Sequence, residues 1–132
     1  MILQRFPDKV EADYEAALRI NVESSRNIAE ACKEVGARMI YISTDYVFDG
    51  SHPPYFPDNE PHPLNKYGDS KLGGEKAVLA VDDKFLVLRI PVLYGGVTKL
   101  NESAVTVLLD VVRYKQTRTL GAKVRPLCGQ NE

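Results

Sequence analysis

The feature that most constrains the fold is a short apolar run, residues 39–42, that ends in three polar residues. The run reads MIYI and is followed at once by Ser43, Thr44 and Asp45. A nearly continuous apolar run is typical of a parallel strand covered on both faces, and ligands in such sheets bind at the carboxyl ends of strands. We therefore predict a buried strand over residues 38–43, with the Thr44 hydroxyl at the ligand-binding edge.

Helical and strand patterns alternate on both sides of this run. Apolar residues recur at helical spacing over 8–35, and Gly36 follows as a C-terminal glycine should. A second helix is predicted over 65–80, a second apolar strand over 85–90 and a third helix over 102–114. Alternating helices and strands indicate an α/β fold with part of a doubly wound parallel sheet.

The segment 46–64 is predicted to be a loop beside the strand end. It contains five prolines, which exclude a regular helix or a central strand: Pro53, Pro54, Pro57, Pro61 and Pro63. Long loops at strand ends often shape a substrate pocket, and we place Tyr46 on its wall because it follows Thr44 by two. His52 and His62 lack a neighbouring cysteine or paired carboxylates, so no metal site is predicted.

The second helix begins with a tyrosine and a lysine four residues apart, Tyr67 and Lys71. Residues i and i+4 share a helix face, and an ammonium beside a phenol favours the phenolate and lowers the phenol's pKa. Such a phenol can exchange a proton with a carbonyl oxygen that the Thr44 hydroxyl holds, while a nicotinamide supplies hydride. A pair at this spacing also occurs by chance on surface helices, but the preceding strand end favours the catalytic interpretation.

Three glycines interrupt the same helix, at Gly68, Gly73 and Gly74. Each costs about 1 kcal/mol relative to alanine in a helix interior. We predict that they allow this helix to approach another stretch of backbone closely.

Three stretches together carry a family resemblance. YISTDYVFDG, PLNKYGDSKLGGEKAV and LRIPVLYG resemble the extended short-chain dehydrogenase/reductases, in the branch similar to dTDP-4-dehydrorhamnose reductase. Within that branch, IYISTDYVFDGSHPPY and LRIPVLYGGVTKLNESAVTVLLD are most similar to the family of regulatory β subunits of methionine adenosyltransferase. The resemblance covers roughly residues 7–112, and we expect residues 1–112 to form the C-terminal part of a Rossmann-like NAD(P)-binding domain. Residues 113–132 are expected to be a divergent, flexible tail.

The resemblance implies an NADP site and assigns residues to it. Thr44, Tyr67 and Lys71 would be the inherited catalytic set, with Tyr67 facing the nicotinamide ring and Lys71 bonding the ribose hydroxyls. The implied cofactor-binding residues are Asn21, Ile42, Ser43, Tyr67, Lys71, Ile90 and Pro91. Read from the residues alone, Asn21 could equally mark a kink, and Pro91 a plain strand end.

Three functions follow from this resemblance and stay open. The first is a non-catalytic regulatory subunit that binds NADP and the catalytic subunit of methionine adenosyltransferase, and modulates synthesis of S-adenosylmethionine. The second is an NADPH-dependent reductase of a nucleotide-linked 4-keto sugar, with Tyr67 as the proton donor. The third is a truncated fragment with neither activity. Residues 99–109 and the Pro53-Pro54-Tyr55 turn favour the first.

The sequence contains no G-x-G-x-x-G or G-x-x-G-x-x-G turn, the element that holds a dinucleotide's pyrophosphate. We therefore expect a partial domain that lacks the Gly-rich N-terminal half and the C-terminal substrate lobe. NADP affinity should be low, partner binding should suffer without the family's own C-terminal tail, and the unpaired apolar edge should favour aggregation.

Composition excludes several classes of function. The net charge of −1 gives no electrostatic basis for binding nucleic acid or a membrane surface, and no apolar run approaches the ~20 residues of a membrane span. The chain has two cysteines, Cys32 and Cys128, too few for a disulfide framework. A reducing, cytoplasmic setting is therefore expected.

Overall fold

The computed structural model describes residues 7–93, 95–96, 98–99, 106 and 108. The chain divides into two compact units, Met1–Pro91 and Val92–Glu132, and every element named below belongs to the first. The helix predicted over 102–114 lies outside the described residues except at Thr106 and Leu108, and the tail 113–132 lies wholly outside them.

The N-terminal helical region is interrupted twice. Its parts are α1 (Pro7–Ala12), α2 (Tyr14–Leu18), a π-helical turn (Arg19–Glu23) and α3 (Ser24–Glu34). The prediction of one continuous helix over 8–35 is wrong. Asp13 leaves helical geometry, and its side chain accepts the N–H of Ala16 at 3.0 Å. A carboxylate that caps a new helix start competes with the backbone of the preceding helix. Gly36 follows α3 with a φ of 68°, as predicted.

Among the described residues, two parallel strands form a sheet. β1 (Ile40–Thr44) pairs with β2 (Leu86–Ile90), so that Thr44 lies opposite Ile90 at the carboxyl edge. They are connected through α4 (Lys66–Val81), which begins where the Asn65 side chain accepts the N–H of Gly68 at 2.8 Å. A short 3-10 turn, Asp45–Val47, follows β1 directly. The predicted α/β class with parallel strands is confirmed.

Only one face of this sheet is covered within the described part of the chain. Core residues on that side include Ala29, Met39, Tyr41, Val78 and Phe85. The other face carries four exposed apolar side chains: Ile40 (58%), Ile42 (39%), Leu86 (54%) and Leu88 (46%). The prediction of a strand covered on both faces is therefore wrong for the described residues: paired parallel residues share a face, and the described helices pack on the Tyr41 side.

The described residues carry neither a membrane-spanning helix nor a cluster of metal ligands. None of their helices combines the length and the apolar character that crossing a bilayer requires. No group of three or more His, Cys, Asp or Glu side chains lies where it could hold a metal ion.

Candidate functional site

Thr44 and Tyr67 lie together at the carboxyl edge of the sheet. Thr44 is the last residue of β1, and its Oγ1 accepts the N–H of Tyr46 at 3.3 Å and donates to Asp45 Oδ1 at 3.2 Å. The half-buried Tyr67, in the first turn of α4, meets the Tyr46 ring edge to face at a centroid distance of 5.8 Å. The structure thus brings together the hydroxyl, the phenol and the proposed wall residue.

The pKa of Tyr67 is raised above its ordinary value of 10.0. Burial is the largest cause, a hydrogen bond with Thr44 opposes it, and the neighbouring Tyr46 and Asp45 raise the pKa further. The prediction that Lys71 lowers the pKa of this phenol is therefore wrong for this structure. Desolvation disfavours the phenolate more strongly than the surrounding groups favour it.

Lys71 is almost fully buried, with 3% of its surface exposed. Its Nζ donates to the carbonyl oxygen of Ile42 at 2.7 Å and lies 4.3 Å from the centroid of the Tyr41 ring. Burial lowers the pKa of Lys71 from 10.5 to about 8, against the opposing influence of Glu75. The ammonium thus lies against the middle of β1, at the Ile42 carbonyl.

Asn21 lies in the π-helical turn and is fully buried. Its Nδ2 donates to Ser70 Oγ at 3.1 Å, and Ser70 Oγ donates to the carbonyl oxygen of Tyr67 at 2.9 Å. The side chain thereby fixes the turn of α4 that carries Tyr67. π-helical turns are frequent at functional sites. Sequence reasoning missed Ser70; the available signal was a small polar residue directly before Lys71 in a helix that has to pack.

The glycines of α4 explain how the elements fit together. A Cβ on Gly68 would lie 2.2 Å from the carbonyl oxygen of Tyr46, and one on Gly74 would lie 2.4 Å from that of Asn21. Close backbone approach is confirmed at these two positions. It is wrong at Gly73, where the nearest atom is a side-chain methyl of Val22, at 3.0 Å.

The other residues assigned to the cofactor lie along the same edge. Ile42 contributes its carbonyl to Lys71, whereas its side chain is on the open face of the sheet. Ser43 is buried, and its hydroxyl has no hydrogen-bond partner among the described residues. Ile90 ends β2, and Pro91 follows it. The end of β1 therefore carries a buried hydroxyl that has no hydrogen-bond partner among the described residues.

A cleft of about 930 Å³ lies beside this edge. Of the predicted site residues, Tyr46 and Pro91 line the cleft, whereas Thr44, Tyr67 and Lys71 do not. Its wall includes the stacked rings of Phe48 and Tyr55, whose centroids are 4.3 Å apart, and the ion pair of Arg89 with Glu75. We take Thr44, Tyr67 and Lys71 as the candidate site, because they carry the hydroxyl, phenol and ammonium groups on which the predicted chemistry depends. The cleft is treated as a neighbouring feature.

The strand-end hydroxyl, the phenol and the buried lysine one helical turn from that phenol are the three groups that the resemblance to the short-chain dehydrogenase/reductases assigned to an active site. The sequence pattern of the RmlD substrate-binding domain matches residues 4–121. The chain belongs to this family.

Two relatives, a methionine adenosyltransferase subunit and a reductase, illustrate which proteins this chain resembles. Methionine adenosyltransferase 2 subunit beta of Xenopus laevis is 54% identical over 111 residues, which cover 84% of this chain and 33% of that protein. dTDP-4-dehydrorhamnose reductase of Mycobacterium tuberculosis is 43% identical over 96 residues, which cover 69% of this chain and 32% of the reductase. The chain therefore spans about a third of the length of the relatives it matches.

A solved structure supports the fold assignment. The dTDP-4-dehydrorhamnose reductase of Bacillus anthracis, determined in complex with NADP, superposes with a TM-score of 0.72 at 34% identity. The match covers 85% of this chain and 39% of the reductase. The prediction of a partial Rossmann-like α/β fold is confirmed.

Lys71 is expected to make stability depend on pH. Because its pKa of about 8 in the folded chain lies below the ordinary 10.5, the unfolded chain binds this proton more tightly, and stability rises with pH between these values. Relative to Lys71→Met, the free energy of unfolding should increase by about 2 kcal/mol from pH 7.5 to pH 10. Urea titrations at several pH values measure this; parallel pH profiles for the two proteins would contradict it. Tyr41 and Tyr67, whose pKa values are raised, act in the opposite sense only above about pH 10.

Proposed function

We propose that this chain is part of a regulatory subunit of methionine adenosyltransferase that binds NADP and modulates formation of S-adenosylmethionine in the cytoplasm. The observation that carries the proposal is the 54% identity over 111 residues with the Xenopus laevis subunit, against 43% over 96 residues with the Mycobacterium tuberculosis reductase. In this function the chain associates with the catalytic subunit and performs no turnover of its own.

The nicotinamide end of NADP fits the residues at the sheet edge. Lys71 uses one of its three N–H donors on Ile42, which leaves donors for ribose hydroxyls. The buried Ser43 hydroxyl lacks a partner among the described residues, and a bound polar group would satisfy it. Tyr67 stands beside Thr44 and can donate a hydrogen bond from the same side. NADPH, when bound, would supply a hydride; these side chains bind and orient its nicotinamide end.

A second candidate function is reduction of a nucleotide-linked 4-keto sugar. The 43% identity with the Mycobacterium tuberculosis reductase supports it. Tyr67 would donate its proton to the carbonyl oxygen, although its raised pKa makes this transfer less favourable than a pKa near neutral would. Thr44 would orient that oxygen through a hydrogen bond. Both functions use the same three side chains, so the residues of the site do not distinguish them.

The regulatory function is tested with the purified catalytic subunit of methionine adenosyltransferase. The chain is added in excess, with and without NADP, and complex formation is followed by size-exclusion chromatography. Formation of S-adenosylmethionine is measured across methionine concentrations. We expect co-elution and a changed methionine dependence; a catalytic subunit that elutes and reacts unchanged would contradict the proposal for this chain.

The reductase function requires a different measurement. Oxidation of NADPH is followed in the presence of dTDP-4-dehydrorhamnose, with Tyr67→Phe as the matched control because it removes only the proton donor. Turnover by the parent chain that is lost in Tyr67→Phe would favour the reductase. Absence of turnover together with co-elution would favour the regulatory subunit, and absence of both would identify a fragment with neither activity.

A further inference from the structure

Tyr41 lies where β1, α4 and the π-helical turn meet, and its side chain is fully buried. Its hydroxyl lies within hydrogen-bond distance of the main-chain carbonyl oxygens of Asn21 and Lys71, at 3.4 and 3.5 Å, and can donate its one hydrogen to either. Its ring faces the Lys71 ammonium, with Nζ 4.3 Å from the ring centroid. One buried aromatic side chain therefore contacts both the helix that carries the candidate site and the turn that supports it.

The contact with Lys71 is the one that bears on the site. A lysine has a flexible four-carbon stem, so its ammonium keeps one position only if other groups hold it there. The negative face of an aromatic ring attracts a cation, most strongly when both are removed from water. Here the Tyr41 ring lies on one side of the ammonium, and the carbonyl oxygen of Ile42 accepts from it at 2.7 Å.

Gly74 makes this placement of the ring possible. A Cβ at that position would lie 2.1 Å from the Tyr41 hydroxyl oxygen and 2.8 Å from Cζ. The hydroxyl thus fits between α4 and the π-helical turn only because residue 74 has no side chain. This arrangement gives the ring a fixed orientation under Lys71.

We propose that Tyr41 is a positioning residue whose ring holds the Lys71 ammonium at the Ile42 carbonyl of β1, the position from which it would bond the nicotinamide ribose. The identity of that ligand rests on the proposed function, but the positioning of the ammonium does not. The titratable groups that face the pair are Glu75 and Tyr67, both on α4.

The test observes Lys71 directly, without any ligand. The full chain is labelled with [ε-¹³C]lysine, and the Lys71 signal is assigned by its loss in Lys71→Met. In the parent chain we expect an upfield ring-current shift of the Lys71 Hε protons and NOEs from them to the Tyr41 ring. Absence of both would overturn the proposal, even if every Tyr41 variant failed to fold.

Two variants then separate the ring from the hydroxyl. Tyr41→Phe keeps the ring, so the pKa of Lys71 should stay near the parent value of about 8. Tyr41→Leu removes the attraction that favours the charged form, so the pKa should fall by roughly half a unit or more. Tyr55→Leu, at a tyrosine of the cleft wall, is the matched control and should leave the Lys71 titration unchanged. Equal titration curves for the parent, Tyr41→Phe and Tyr41→Leu would overturn the proposal.

Binding of NADP is measured separately by isothermal titration calorimetry. If the parent chain binds, Tyr41→Leu should bind at least about threefold more weakly, and Tyr41→Phe should bind about as well as the parent. Equal binding by the parent and Tyr41→Leu would overturn the positioning role and leave the proposed cofactor in place. If neither the parent chain nor the two variants bind NADP, the proposed cofactor is wrong. The Lys71 spectra still decide whether Tyr41 positions the ammonium.

Discussion

Replacing Gly74 with alanine is expected to lower the free energy of unfolding by about 2 kcal/mol. The new Cβ would lie 2.4 Å from the carbonyl oxygen of Asn21 and 2.1 Å from the Tyr41 hydroxyl, and both groups are buried. Neither is the free end of a flexible side chain, so α4 has to move away from the π-helical turn. Overpacking typically costs 1–3 kcal/mol, and contacts this short place the cost at the upper end, about 3 kcal/mol, of which the better helix propensity of alanine returns about 1 kcal/mol.

Gly73→Ala is the matched control, one residue earlier in the same helix. Its Cβ would meet a Val22 methyl at 3.0 Å, which a small rotation of that side chain can relieve. The gain in helix propensity should then roughly balance the crowding, and stability should change by less than about 1 kcal/mol. Urea denaturation followed by circular dichroism measures both variants. Equal stabilities for the two would show that the approach of α4 to the turn does not depend on Gly74.

The sequence was sufficient to predict the elements that follow directly from local patterns. The apolar run before Ser43 gave β1 to within two residues at its start and one at its end, and Asn65 marked the beginning of α4. Thr44 and Tyr67 come together because a strand end and the start of the next helix meet at one edge of a parallel sheet. Their roles toward a ligand remain predictions.

What could not be predicted depends on tertiary packing. The π-helical turn has no signature of its own in the sequence, and it places Asn21 against Ser70, 49 residues away. Helix periodicity predicts that Lys71 shares a helix face with Tyr67. It does not predict the direction of the flexible lysine stem, which here reaches the Ile42 carbonyl. Burial raises the pKa of the Tyr67 phenol, and this effect cannot be predicted from the spacing of Tyr67 and Lys71.

The second large effect is expected at an ion pair that sequence reasoning also missed. Arg89 on β2 donates through Nε to Glu75 Oε1 at 3.0 Å and through Nη2 to Oε2 at 2.7 Å. Glu75 is only 3% exposed, so removing its partner leaves a carboxylate that water hardly reaches. Arg89→Met should therefore lower the free energy of unfolding at pH 7 by about 3 kcal/mol, since breaking a buried pair costs more than the pair itself contributes.

Two comparisons make this result specific to the buried charge. The double variant Glu75→Leu with Arg89→Met removes both charges and should recover most of the loss, because well-packed apolar replacements of buried pairs are often neutral. Lys66→Met breaks the pair of Lys66 with Glu11, which are both 49% exposed, and should change stability by less than about 1 kcal/mol. Urea denaturation at pH 7 decides the cause. A double variant that is no more stable than Arg89→Met would assign the deficit to lost contacts of Arg89 with the Phe48 ring and the Pro57 carbonyl.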